Sequence, residues 1–120
     1  MANTFKVVTK PSVSADSSSP TTIYTVPSST TTVVLAVLLA NKHTDSIKAT
    51  VQIVSTTISG TTGGGDNNGT VNVIKDITIE NETSLELMAG QKYILMASDI
   101  LKVYADNANI DVTLSFMEIS

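Results

Sequence analysis

The apolar run from Val33 to Ala40 constrains the fold of this chain more than any other segment. It is much shorter than the roughly 20 apolar residues that a membrane-spanning helix needs. It begins with two β-branched residues, a Ser/Thr turn precedes it, and the polar segment Asn41–Ser46 follows it. A short apolar run with these flanks is typical of a buried strand. We therefore expect the other segments to be strands that pack on it.

Strict alternation of apolar and polar residues predicts further strands. It is clearest over Ile47–Ile53 and Ile110–Phe116, and its phase breaks at Ile74–Lys75, which predicts a β-bulge. No segment keeps the spacing of an amphipathic helix over more than one turn, whereas about eight short strand patterns follow one another. The sequence therefore predicts an all-β, jelly-roll-like antiparallel β-sandwich, with a closed barrel as the alternative.

The 120 residues fit one domain, which commonly contains about 100 to 150 residues. Residues 1–20 are predicted to form an extended N-terminal arm and linker. Phe5 and Val7 indicate a short strand there, and the Ser- and Pro-rich stretch 10–20 is too polar to bury. Residues 21–120 are predicted to form the β-sandwich domain.

Composition argues against several classes of protein. The formal net charge is −4, arginine is absent, and the seven lysines are scattered, so the basic stripe of a nucleic-acid-binding protein is missing. The absence of cysteine leaves no disulfide framework and no thiolate metal site. The sequence contains no signal-peptide pattern and no membrane-length run, so we expect a soluble protein without a membrane partner.

The sequence shows no catalytic, cofactor-binding or metal-binding constellation. His43 is the sole histidine and lies in a polar loop without a nucleophile or a second ligand nearby. Glu80, Glu82 and Glu86 are close in sequence, but strand alternation exposes the first and the last of them. The segment Gly63–Gly65 lacks the Lys-Ser/Thr pair and the helix of a phosphate-binding loop. We therefore expect a non-enzymatic protein without a cofactor.

Both faces of the apolar run need burial, because its odd and its even positions are equally apolar. One face meets the core of a sandwich, and the other needs a cover, which is either the chain's own arm or a neighbouring subunit. A homo-oligomer is expected on this basis. The candidate assembly residues are Phe5, Val7, Val34, Ala36 and Leu38.

Two polar loops, at 60–69 and 106–109, are candidates for contact with a host-surface glycan. Turn chemistry is the alternative explanation for their composition. The three tyrosines, whose rings would stack on sugars, all lie within strand patterns. The candidate contact residues are Asp66, Asn67, Asn68, Asn107 and Asn109.

The chain resembles small virion structural proteins of tailed phages, especially those of marine cyanophages. The resemblance is carried by Met1–Lys6, Ile23–Pro27, Thr31–Leu35, Ala40–Asn41, Ser84–Leu87, Ala97–Asp99 and Asp111–Ile119. Ser98 stands where relatives often have glycine, and the Gly-rich 60–69 loop is particular to this chain. The resemblance implies a compact β-sandwich that oligomerises on the head, neck or tail as a decoration, adaptor or fibre-base subunit.

The expected function is that of a non-enzymatic subunit of a tailed-phage virion, made in the host bacterial cytoplasm. Its expected partners are further copies of itself and other virion proteins of the capsid, neck or tail. The alternative is a host-surface or carbohydrate-binding module of the particle.

Overall fold

The computed structural model describes residues 2–55, 69–87 and 92–120. Within these ranges the chain forms β-strands and no helix, which confirms the prediction of an all-β fold. The strands are β1 (Asn3–Lys10), β2 (Thr21–Thr25), β3 (Thr31–Asn41), β4 (Ile47–Ser55), β5 (Gly69–Ile79), β6 (Ser84–Glu86), β7 (Tyr93–Leu95), β8 (Ile100–Ala105) and β9 (Ile110–Ile119).

The described strands form two antiparallel sheets. The first has the order β1-β9-β3, and both β6 and β7 pair with the far side of β3. β6 pairs with residues 38–40 and β7 with residues 32–34, so these two short strands share one strand position. The second sheet has the order β2-β8-β4-β5.

This strand order is that of a jelly roll. The first strand pairs with the last, β2 with β8, β3 with β6 and β7, and β4 with β5. The strands β1 to β4 thus form one arm of a long antiparallel hairpin, and β5 to β9 form the other arm. Two further pairings, of β3 with β9 and of β4 with β8, fold this hairpin into two sheets. The predicted sandwich is confirmed. A closed barrel is excluded, because each sheet of the described structure keeps its own edge strands.

The core lies between the sheets and follows from alternation. Every second residue of β9 from Ile110 to Phe116 is buried, and so are Ile47, Ala49 and Val51 of β4. These are the inward positions that the alternation predicts. The buried apolar residues are Val13, Ile23, Val26, Val34, Val37, Leu39, Ile47, Ala49, Val51, Ile79, Leu95, Leu101, Val103, Ala105, Ile110, Val112, Leu114 and Phe116.

In strand β3 a bulge changes which residues face the core, from even-numbered to odd-numbered ones. Val34 and Ala36 pair with neighbouring residues of β9, so Leu35 between them is an extra residue. Val34 faces the core and is 1% exposed, and after the bulge the odd-numbered residues from Val37 onward face the core. The prediction that Val34 shares the outer side with Ala36 is wrong, because a period-two count through the run assumes a regular strand.

A bulge also occurs in β5, near the predicted phase break at Ile74–Lys75. The register with β4 shifts between Ala49 and Val51. Asp76 has a φ of 52°, and its N–H donates a hydrogen bond of 3.0 Å to Oγ1 of the buried Thr50. The bulge predicted for this region is confirmed.

Residues 2–20 include a strand and a buried side chain that pair with and pack on the later strands. β1 pairs with β9 over its whole length. Val13 is fully buried, and its N–H donates a 3.0 Å hydrogen bond to the carbonyl of Ile110. The expectation that the stretch 10–20 is too polar to bury is therefore wrong at Val13, since one apolar side chain enters the core from a polar segment. The domain boundary at residue 20 stays a prediction.

We expect Val13→Ala to lower the free energy of unfolding by about 2 kcal/mol, because it removes buried methyl groups and leaves a cavity. Val71→Ala is the matched control, since Val71 is 60% exposed, and it should change stability by less than about 0.5 kcal/mol. Urea unfolding followed by circular dichroism measures both. Equal effects of the two variants would contradict the burial of Val13.

Candidate functional site

One side of the β1-β9-β3 sheet points away from the core and carries several apolar residues, and we call this side the outer face. On β9 the residues that alternate with the buried ones point to it, among them Ser115 and Met117. Paired residues of neighbouring strands point to the same side of a sheet. The partners of these residues on β1 and β3 therefore lie on the outer face as well.

An unbroken apolar row crosses the outer face. Phe5 pairs with Met117, Met117 pairs with Val33, and Val33 pairs with Ile94. The row joins β1, β9, β3 and β7, which is the full width of the sheet. Phe5 is 73% exposed and Ile94 is 66% exposed. Broad apolar surface of this kind is typical of an interaction site.

A hollow lies beside this row. Val7 pairs with Ser115, and Ser115 pairs with Ala36. The side chains of Ser115 and Ala36 are small, so the middle of the sheet is lower here than at the neighbouring apolar row. The extra residue Leu35 lies next to them. The hollow has a volume of about 280 Å³ and is lined by Phe5, Lys6, Val7, Leu35, Ser115 and Phe116.

The other end of the outer face is charged. Asp111, which pairs there with Ala40, accepts a hydrogen bond from Lys42 Nζ at 2.9 Å and one from the Ser12 N–H at 2.9 Å. The bond from Lys42, followed by that from Ser12, holds the pKa of the Asp111 carboxyl below its ordinary value. The outer face thus has an apolar end and an ionic end.

The predicted assembly residues fall into three groups. Phe5 and Val7 are exposed on the outer face. Ala36 and Leu38 lie on the same face and are half-buried. Val34 lies in the core, where no partner can reach it. Four of the five predicted residues are therefore together on one surface.

A polar cluster joins β1 to both sheets. Lys6 Nζ lies 2.7 Å from Oε1 of Glu118, and the Tyr24 hydroxyl donates a 2.5 Å hydrogen bond to Oε2 of the same carboxylate. The Thr32 hydroxyl lies 2.8 Å from the Tyr24 hydroxyl. Lys6 belongs to β1, Glu118 to β9 and Thr32 to β3, whereas Tyr24 belongs to β2 of the other sheet.

The hydrogen bond between Tyr24 and Glu118 shifts the pKa of both side chains. The hydrogen bond from Lys6, and then that from Tyr24, lower the pKa of the Glu118 carboxyl. Burial, followed by the hydrogen bond to Glu118, raises the pKa of Tyr24 to about 12. The Tyr24 ring also packs on Phe116 with ring centroids 4.3 Å apart. The cluster therefore combines apolar packing with charge-assisted hydrogen bonds.

The residues of these two sites that were not predicted include Met117, Glu118, Ile94 and Leu35. Alternation beyond Phe116 places Met117 outside and Glu118 inside, and alternation in β7 places Ile94 outside, so a signal for all three exists. A carboxylate at an inward position further indicates a buried partner. The fourth residue, Leu35, reaches its position through a bulge that alternation does not reveal.

The loop candidates act as turn residues where the structure describes them. The Oδ1 atom of Asn107 accepts a 3.0 Å hydrogen bond from the Asn109 N–H, and Nδ2 of Asn109 lies 3.4 Å from Nδ1 of His43. Residues 66–68 lie outside the described ranges. Glycan binding by these loops stays a prediction.

Within residues 2–55, 69–87 and 92–120, no group of three or more His, Asp or Glu residues is placed to hold a metal ion. The described part of the chain contains no helix that is long and apolar enough to cross a membrane.

No family model and no curated protein matches this sequence. Among solved structures, the fold is similar to a chain in the crystal structure of the T13 IBDV viral particle, a structure that reveals a missing link in the evolution of icosahedral viruses. The TM-score is 0.56 and the sequence identity is 10%. The match covers 97% of this chain and 30% of that chain. At this identity the similarity concerns the fold, and it agrees with the jelly-roll strand order.

Glu118→Gln should lower the free energy of unfolding near pH 7 by about 1 to 2 kcal/mol, because neutral hydrogen bonds replace charge-assisted ones. The folded-state pKa of Glu118 lies below its ordinary 4.5, so the carboxylate's contribution is present above that pH and is lost as the pH falls below it. The stability gap between wild type and variant should therefore narrow as the medium is acidified below pH 4.5. Urea unfolding at a series of pH values tests this, and a constant gap would contradict it.

Tyr24→Phe keeps the ring on Phe116 but removes the hydroxyl, and it should cost about 1 to 2 kcal/mol at neutral pH. The folded-state pKa of Tyr24 is raised from 10.0 to about 12. The hydroxyl's contribution is therefore complete below pH 10 and is lost as the pH rises through about 12. Urea unfolding in this alkaline range should show wild type and variant converging. Parallel stability curves would refute the assignment.

Proposed function

We propose that this protein is a structural, non-enzymatic subunit of a virion. The observation that carries the proposal is the jelly-roll fold, since a structural match to a chain of a viral particle covers 97% of this chain. Jelly rolls build viral capsids, but they also occur in lectin domains and cupins, and a fold alone does not define a function. The surface of this jelly roll must therefore discriminate between these roles.

The outer face supports a role in assembly. Sugar binding calls for polar groups and exposed aromatic planes, whereas the row from Phe5 to Ile94 is apolar and contains a single aromatic ring. Contact with another protein would remove this row from water, which is favourable in proportion to the apolar area buried. A subunit that packs against other proteins in a particle would bury this apolar row, so the outer face supports an assembly role.

The finer proposal is a tailed-phage virion, in which the subunit decorates or bridges the head, neck, tail or fibre base. It rests on the sequence resemblance to small tailed-phage virion proteins, of which Asp111–Ile119 is one segment. That segment makes up most of β9, the strand that pairs with both β1 and β3. The partners proposed are copies of this chain and other virion proteins, after synthesis in the host bacterial cytoplasm.

Particles assembled from the genome that encodes this chain test the proposal. After density-gradient purification, mass spectrometry should find the protein in the particle band at a constant ratio to the major particle proteins. Immunogold labelling should then place it on the head, neck, tail or fibre base of a tailed particle. Recovery only from the soluble lysate would overturn the virion role, and labelling of a tailless particle would overturn the tailed-phage context alone.

A further inference from the structure

We propose that the outer face binds a second copy of this chain across a two-fold axis, with the Phe5 ring of each copy seated in the other copy's hollow between Val7, Leu35 and Ser115. This inference deepens the proposed function by naming the partner of the same surface. The assignment of this dimer to a virion rests on the proposed function, whereas the dimer contact itself rests on the shape and charge of the outer face.

Shape is the first argument, because a projection and a hollow lie side by side on one face. Among the large apolar residues of the described structure that are exposed, Phe5 is the most exposed. The hollow of about 280 Å³ opens next to it, where Ser115 and Ala36 are small. A two-fold axis lying between two such faces places each projection over the opposite hollow. This is the self-complementary contact that an isologous dimer requires.

Charge is the second argument. Each chain carries a formal net charge of −4, so a partner bound by charge complementarity would be basic and would need an acidic surface. The apolar row has no charged residue, and Lys6 at the hollow is already paired with Glu118 at 2.7 Å. Two copies can therefore meet here without burying an unpaired charge. Added salt should strengthen the dimer, since it screens the repulsion between the negatively charged chains.

The available area is the third argument. A large aromatic side chain buries roughly 150 to 250 Å². The exposed side chains Phe5, Val7 and Ile94 therefore offer less surface than a standard interface buries in all. A standard interface buries about 800 Å² per partner when polar surface is included. The face thus suits a reversible dimer, which a high local concentration in a particle would reinforce.

Edge pairing through β1 is a poorer mode of self-association. β1 is an edge strand of its sheet and carries Lys6 and Lys10. Lysine on an edge strand hinders the addition of another strand. Contact through the face instead of the edge leaves both lysines in place.

The absence of cysteine allows a direct test of this geometry. In the double variant Phe5→Cys/Leu35→Cys, the two positions lie on β1 and β3 with β9 between them. Strands two positions apart are separated by roughly 9 to 10 Å, which exceeds the Cα distance of about 7 Å that a disulfide tolerates. The bond can therefore form only between copies. We expect a disulfide-linked dimer on a non-reducing gel after mild oxidation. The single variant Val71→Cys is the control and should give no dimer, since Val71 lies on β5 of the other sheet and not on the outer face.

Sedimentation equilibrium of the purified protein supplies the second measurement. Wild type should show a dimer that tightens with salt, Phe5→Glu should raise the dissociation constant at least tenfold, and Ser115→Leu should do the same by filling the hollow. Val71→Glu, at an exposed valine of the other sheet, should leave it unchanged, and circular dichroism verifies that each variant is folded. A monomer at all concentrations, or a dimer that is indifferent to Phe5→Glu, would overturn the inference. The virion role would survive that result if the protein still purified with particles.

Discussion

The pairing of β3 with β9 in the middle of one sheet is the contact on which the rest of the molecule depends. β9 pairs with β1 on one side and with β3 on the other. Its inward residues from Ile110 to Phe116 belong to the core, and its outward residues form the middle of the outer face. A shift of this register by one residue would exchange the two sets of side chains. The core and the assembly surface therefore have a common origin in one pairing.

The bulge at Leu35 explains why the run from Val33 to Ala40 is apolar at both its odd-numbered and its even-numbered positions. Inward positions are even before the bulge, as at Val34, and odd after it, as at Val37 and Leu39. The apolar residues left on the other side of the strand are half-buried. Near Ser115 they leave the hollow into which we place Phe5 of another copy. One extra residue thus serves both the packing of the core and the shape of the surface.

Much of this fold is predictable from the sequence, because period-two burial is a local property that β9 obeys along its whole length. β4 obeys it only in part, since Thr50 is buried between Ala49 and Val51. The same rule places Phe5 and Val7, two residues apart, on a common face of β1. Contacts between distant positions are not predictable in this way. Tyr24 and Glu118 are separated by 94 positions, and only the winding of β2 over β9 brings them to 2.5 Å. The position of Val34 also required the register of β3 against β9, which alternation within one strand does not contain.

The pairing of β1 with β9 has a consequence for the synthesis of the protein. Asn3 pairs with Ile119, so the first strand to be made receives its partner last. Until β9 has left the ribosome, Phe5 and Val7 project from a strand without its native partner, and such strands are prone to aggregate. Closing a contact over nearly the whole chain is also slow. The side chains that suit the finished subunit for assembly are thus a hazard to the nascent one, and Lys6 and Lys10 supply charges that keep unpaired strands of neighbouring chains apart.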